Sequence, residues 1–148
     1  MKLYYAPYTC ALAIWISLEW LEVDYQVEKV ELNSAAYKKI NPLGQVPTLE
    51  DEHGFKTQLA PILEYLIEKY PQYDLGPDLG LEDHFRYREI AAFLTGDLHP
   101  AYGPLFQPKR YTTKTDPISL KAIQDQTRKE IPKLLSYLNS LLGKSPLP

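Results

Sequence analysis

A single cysteine, Cys10, stands where a strand-forming stretch hands over to a helix-forming one. Lys2-Leu3-Tyr4-Tyr5-Ala6 is rich in aromatic residues and bounded by Pro7; from Cys10 the chain runs Ala11, Leu12, Ala13, Ile14, Trp15, Ile16, apolar in the helical manner. A thiol in the first turn of a helix faces free backbone N–H groups and the positive end of the helix dipole. Both favour thiolate, so the expected pKa lies below the ordinary value of about 8.5. Thiolate is the nucleophile of disulfide exchange and of attack on electrophiles, which gives the placement chemical meaning. The competing reading is a small buried hydrophobe, common for free cysteine, and placement alone leaves both open. His53, His84 and His99 have no metal-ligand spacing, and one cysteine cannot complete a structural zinc site. The sequence holds no P-loop, no Gly-x-Ser-x-Gly and no His-Glu-x-x-His.

The elements that must position these residues change character midway. A strand at 2–6, a helix at 10–22 that is apolar on nearly every face, and a second strand at 25–32 make a βαβ unit, which implies a parallel strand pair. A helix so apolar is expected to be covered on several sides. Ser34 to Ile40 reads as a short helix capped by Ser34, followed by the turn Asn41-Pro42-Leu43-Gly44. Val46–Glu50 and Phe55–Thr57 flank Gly54 as a hairpin. A helix over 60–70 then takes Pro61 in its first turn and shows the stripe Ile62, Leu63, Leu66, Ile67, Tyr70. Residues 75–81 close a Pro-, Gly- and Asp-dense linker, after which the strand signal vanishes. Helices are expected over 82–102 and 117–142, with a loop between them, Pro132 as a kink in the second, and Gly143 as its stop. The expected layout is an α/β domain over 1–74, the linker at 75–81, and an all-helical domain over 82–148.

Bulk properties exclude several classes. A net charge of −3, with no basic run longer than a pair such as Lys38-Lys39 or Lys109-Arg110, argues against nucleic-acid binding. No apolar run approaches membrane-spanning length, and no charged-then-apolar leader opens the chain. One cysteine permits no internal disulfide, which fits a reducing compartment and a cytoplasmic location.

Taken together, Tyr5, Cys10, the block Asn41-Pro42-Leu43-Gly44-Gln45-Val46-Pro47 and the run Ala60 to Leu66 resemble the cytosolic glutathione transferases. Tyr5 and Cys10 with Asp97-Leu98-His99 and Pro104-Leu105-Phe106 are similar to the bacterial Beta class in particular. The resemblance implies a thioredoxin-like first domain (βαβ-α-ββα) followed by a helical domain, and a homodimer. It implies glutathione as co-substrate, a hydrophobic electrophile or a disulfide as second substrate, and no permanently bound cofactor. It assigns Cys10, assisted by Tyr5 and His99, to the chemistry. It implies a cis Val46–Pro47 bond, with the backbone around Gln45, Val46 and Pro47 pairing with glutathione's cysteinyl part as an added strand would. Gln58 and Leu59, opening a helix, fall where the family holds the γ-glutamyl end. Tyr102, one turn beyond His99, is a candidate for the acceptor pocket.

Several positions depart from the family pattern. Leu59 replaces a hydroxyl or a glycine, Ala92 an asparagine reaching the partner subunit, and Pro100 a basic residue. The sequence ends at Pro148, before a helix that opens the rest of the family's second domain, so the helical domain is expected to be incomplete. The leading expectation is a glutathione transferase acting by conjugation, thiol–disulfide exchange or both through Cys10. The alternatives are a non-catalytic binding or stress-response protein of the same fold, and a truncated remnant.

Overall fold

Alternation along β1 (Lys2–Tyr5) decides the layering of the first half of the protein. The computed structural model describes residues 1–77 and 80–143, in two compact units, Met1–Asp78 and Leu79–Pro148. The expected linker at 75–81 lies partly, and the stretch 144–148 wholly, outside the described residues. In the first unit β1 is followed by α1 (Ala11–Trp20), β2 (Gln26–Lys29), a 3-10 turn (Tyr37–Lys39), β3 (Thr48–Asp51), β4 (Gly54–Thr57) and α2 (Leu59–Lys69). The sheet order is β2-β1-β3-β4, with β1 and β2 parallel and the other pairs antiparallel. This is the thioredoxin-like arrangement that the resemblance implies.

Leu3 and Leu49 stand opposite one another and point to the same face, where Ile14, Leu18 and Leu21 from α1 and its end meet Ile62 and Leu66 from α2. Each fully buried side chain of this kind contributes about 1.5–3 kcal/mol. The next register pair, Tyr4 and Thr48, points to the opposite face, where Tyr4 lies against the rings of Tyr37 (centroids 6.1 Å apart) and Phe55 (6.3 Å). The short helix expected over 34–40 is a 3-10 turn, and Ser34 Oγ does accept the Tyr37 N–H at 3.2 Å.

The outer side of α1 differs from expectation. Ala11, Ile14 and Leu18 face the core, but Leu12, Ile16 and Trp20 are exposed, because the sheet and α2 cover a single side of the helix. At the hairpin tip, the wholly buried Asp51 carboxylate receives Lys56, the Tyr65 hydroxyl, the His53 N–H at 2.9 Å and Lys69 at 3.4 Å. Burial works to raise this carboxyl, but its four donors outweigh burial and hold it well below the usual carboxylate range. The network fastens α2 to the β3–β4 hairpin.

The second unit is helical: α3 (Leu81–Phe93), a π-helical segment (Leu94–Leu98), α4 (His99–Ala101), α5 (Gly103–Phe106), a 3-10 turn (Pro108–Arg110) and α6 (Pro117–Leu142). The helix expected over 82–102 is therefore interrupted. Pro100 offers no N–H to a carbonyl four residues earlier, and in a regular α-helix its ring would crowd that oxygen; a widened, π-helical turn precedes it. The expected loop between the long helices contains α5 and the 3-10 turn. Asp116 caps α6 by accepting the Ser119 N–H at 2.9 Å, Pro132 lies inside the helix, and Gly143 ends it at φ 70°. Phe93 and Tyr137 meet edge to face at 4.8 Å, and Gln124 Nε2 donates to the Leu105 carbonyl at 2.8 Å. Among the described residues no helix is long and apolar enough to cross a membrane.

Candidate active site

Between β1 and α1 the chain turns through Ala6–Thr9, closed by Thr9 Oγ1 donating to the Ala6 carbonyl at 2.7 Å. Tyr8 occupies positive φ (59°) with its side chain fully exposed. Cys10 follows in helical conformation, and its half-buried Sγ donates to the Val46 carbonyl at 3.7 Å. Two expected site residues 36 positions apart are thereby brought together. The thiol's acidity departs from expectation. Burial pushes the Cys10 thiol up from its ordinary value, and a backbone hydrogen bond offsets only part of this.

The segment facing Cys10 is tightly specified. The Val46–Pro47 bond is cis, as the resemblance implies. Gly44 stands at φ 64°, and a Cβ there would come within 2.9 Å of the Asn33 Cα, so only glycine fits the turn. Asn41 accepts the Gly44 N–H on its carbonyl at 2.8 Å and the Leu43 N–H on its side-chain oxygen at 3.1 Å. The Gln45 carbonyl accepts from Asn41 Nδ2 at 2.7 Å and from the Tyr37 hydroxyl at 2.9 Å. Tyr37, Asn41 and Thr48 are all buried, and sequence reasoning did not assign any of them to the site. The one signal available for them was a polar asparagine opening a turn next to an apolar strand.

Gln58 precedes α2 at φ 74° and ψ 128°, a conformation rarely adopted by residues other than glycine, and it makes no side-chain cap. Such outliers cost about 1–3 kcal/mol and concentrate at ligand sites. Leu59 packs against the core cluster, so its bulk is absorbed inward. The Tyr5 ring lies edge to face on Trp15 at 4.9 Å and against the core. Among the described residues its hydroxyl has no hydrogen bond to Cys10.

The second unit carries the other two expected site residues. His99 is exposed where the π-helical segment returns to α-helix, and its carbonyl accepts the Tyr102 N–H at 3.2 Å. Tyr102 is half-buried and stacks on Phe106, centroids 6.2 Å apart. Among the described residues no group of three or more His, Cys, Asp or Glu could hold a metal ion.

Residues 9–69 match the family model described as the glutathione S-transferase N-terminal domain. The sequence is 35% identical over 114 residues to a glutathione S-transferase of Xanthomonas campestris pv. campestris, covering 75% of this chain and 56% of that protein. The chain thus spans little more than half the length of that curated relative. The solved glutathione S-transferase from Xylella fastidiosa superposes with a TM-score of 0.84 at 30% identity, covering 97% of this chain and 70% of that one. A sphingomonad glutathione S-transferase complexed with glutathione superposes with a TM-score of 0.77 at 29% identity, covering 97% and 71%.

Proposed function

The chain belongs to the glutathione S-transferase family, and from that premise we propose that it binds glutathione along Gln45-Val46-Pro47 and transfers it through chemistry at Cys10. The carrying observation is the meeting of Cys10 Sγ and the Val46 carbonyl at 3.7 Å. A peptide laid along Val46 as an added strand brings its own cysteine sulfur beside Cys10. The γ-glutamyl carboxylate goes to the start of α2, where Gln58 and the Leu59 N–H supply donors and the helix dipole favours an anion. Cofactor-free group transfer, a homodimer, a hydrophobic electrophile or disulfide as second substrate, and a cytoplasmic location belong to the same proposal.

The chemistry at Cys10 is thiol–disulfide exchange at least. With glutathione disulfide, the Cys10 thiolate attacks one sulfur, a Cys10–glutathione bond forms, and the second glutathione leaves as thiolate. Because burial favours the neutral thiol, the reaction needs a proton acceptor. A neutral imidazole suits this, and the family resemblance gives His99 the role. Incubation with glutathione disulfide followed by mass spectrometry tests the proposal. A dithiothreitol-reversible glutathione adduct mapping to Cys10, absent in Cys10→Ser, supports it; no adduct at any concentration rejects it. The raised thiol favours one second reading, a glutathione-binding protein without turnover. Retention on immobilised glutathione without transfer to any electrophile or disulfide would select it.

A further inference from the structure

Tyr37, Asn41 and Thr48 form, with the Gln45 carbonyl, a closed hydrogen-bond ring in the loop that faces Cys10. Asn41 Nδ2 donates to the Gln45 carbonyl at 2.7 Å and to Thr48 Oγ1 at 3.3 Å. The Tyr37 hydroxyl donates to the same carbonyl at 2.9 Å and lies 2.8 Å from Thr48 Oγ1. Proton counting fixes the directions. Tyr37 has one proton and spends it on Gln45, so the Thr48 hydroxyl donates to Tyr37 and accepts from Asn41. Both Asn41 amide protons are engaged, and its oxygen takes the Leu43 N–H at 3.1 Å. The three residues are 2%, 4% and 0% exposed, so a satisfied ring of this kind is stiff, and any missing member strands a buried polar group.

Through Tyr37 and Asn41 the ring holds the Gln45 carbonyl oxygen, on a loop whose Pro42, Leu43 and Gln45 side chains are exposed. A trans peptide group is planar, with its C=O and N–H pointing in opposite directions. Drawing the Gln45 carbonyl inward therefore turns the Val46 N–H outward, towards the strand-like ligand. We propose that Tyr37, Asn41 and Thr48 are positioning residues for glutathione: they touch no substrate, and they set the Val46 donor that the tripeptide's cysteinyl carbonyl pairs with. The inference rests on the glutathione-binding reading above and names the residues that prepare that site.

Calorimetric titration with reduced glutathione tests it, on the full chain at a temperature where circular dichroism shows every variant folded. Tyr37→Phe and Thr48→Val each weaken binding about five- to tenfold, as the loss of one positioned hydrogen bond implies. Thr48→Ser, which keeps the hydroxyl, stays within about twofold of wild type. A purely structural role for the ring would lower the unfolding midpoint of Tyr37→Phe and Thr48→Val while leaving the affinity of the folded protein unchanged, and that result overturns the inference. So does Thr48→Ser binding as poorly as Thr48→Val. Wild-type protein that binds no glutathione overturns the functional reading and this inference with it. Wild-type binding with unaltered variants overturns this inference alone.

Discussion

At the residue scale, the acidity of Cys10 is set by burial, which raises its pKa, against a backbone hydrogen bond, which lowers it, and burial wins. The thiol is the neutral form, so raising its pKa leaves less thiolate at neutral pH. Alkylation of Cys10 by iodoacetamide is therefore expected to rise with pH through a midpoint above that of a free cysteine peptide; a midpoint below the peptide's would contradict this. The Asp51 carboxylate runs the other way. Its folded pKa is depressed, so its contribution to stability is present above the unfolded value of about 3.9 and is lost as pH falls below it. Urea midpoints of wild type should drop below about pH 4 more steeply than those of Asp51→Asn, which cannot titrate. At neutral pH Asp51→Asn should itself cost about 1–3 kcal/mol, since Lys56, Lys69 and Tyr65 lose a charged acceptor. Cys10 was legible as a reactive candidate from its place before a helix. Its proximity to Val46 was legible through family resemblance alone, because spacing along the chain carries no information on a contact 36 residues away. The backbone at Gln58 was not legible, since a glutamine ordinarily avoids positive φ and nothing local announces the exception.

At the element scale, the period of apolar residues recovered β1, α2 and the hairpin, which with α1 bury residues in the core of the first unit, and α6, which buries Thr127 and Ile131 in the second. Leu18→Ala or Ile62→Ala should each destabilise by about 2–5 kcal/mol, read from the unfolding midpoint, as both side chains are wholly buried. A change at exposed Leu12 should cost far less, which separates the two sides of α1. The π-helical segment was missed because its extra residue per turn alters hydrogen bonding without altering composition. Pro100 was on view, but its remedy, a widened turn rather than a break, depends on packing that a sequence does not print.

At the scale of the whole molecule, the strand signal disappears after the linker expected at 75–81, and the structure falls into two compact units, Met1–Asp78 and Leu79–Pro148. A ligand that binds the folded state alone stabilises it by mass action, so glutathione at about one hundred times its Kd should add about 2.7 kcal/mol and raise Tm by several degrees. An equal concentration of a tripeptide with an ordinary α-peptide bond in place of the γ-glutamyl linkage should add much less, because its carboxylate would miss the start of α2. The most direct test of a glutathione site at Val46 beside Cys10 is a titration of amide-labelled protein with reduced glutathione, followed residue by residue by nuclear magnetic resonance. Saturable shifts of the Val46 and Leu59 amides, retained in Cys10→Ser, are the predicted result. Saturable shifts elsewhere with those two amides unmoved would contradict it.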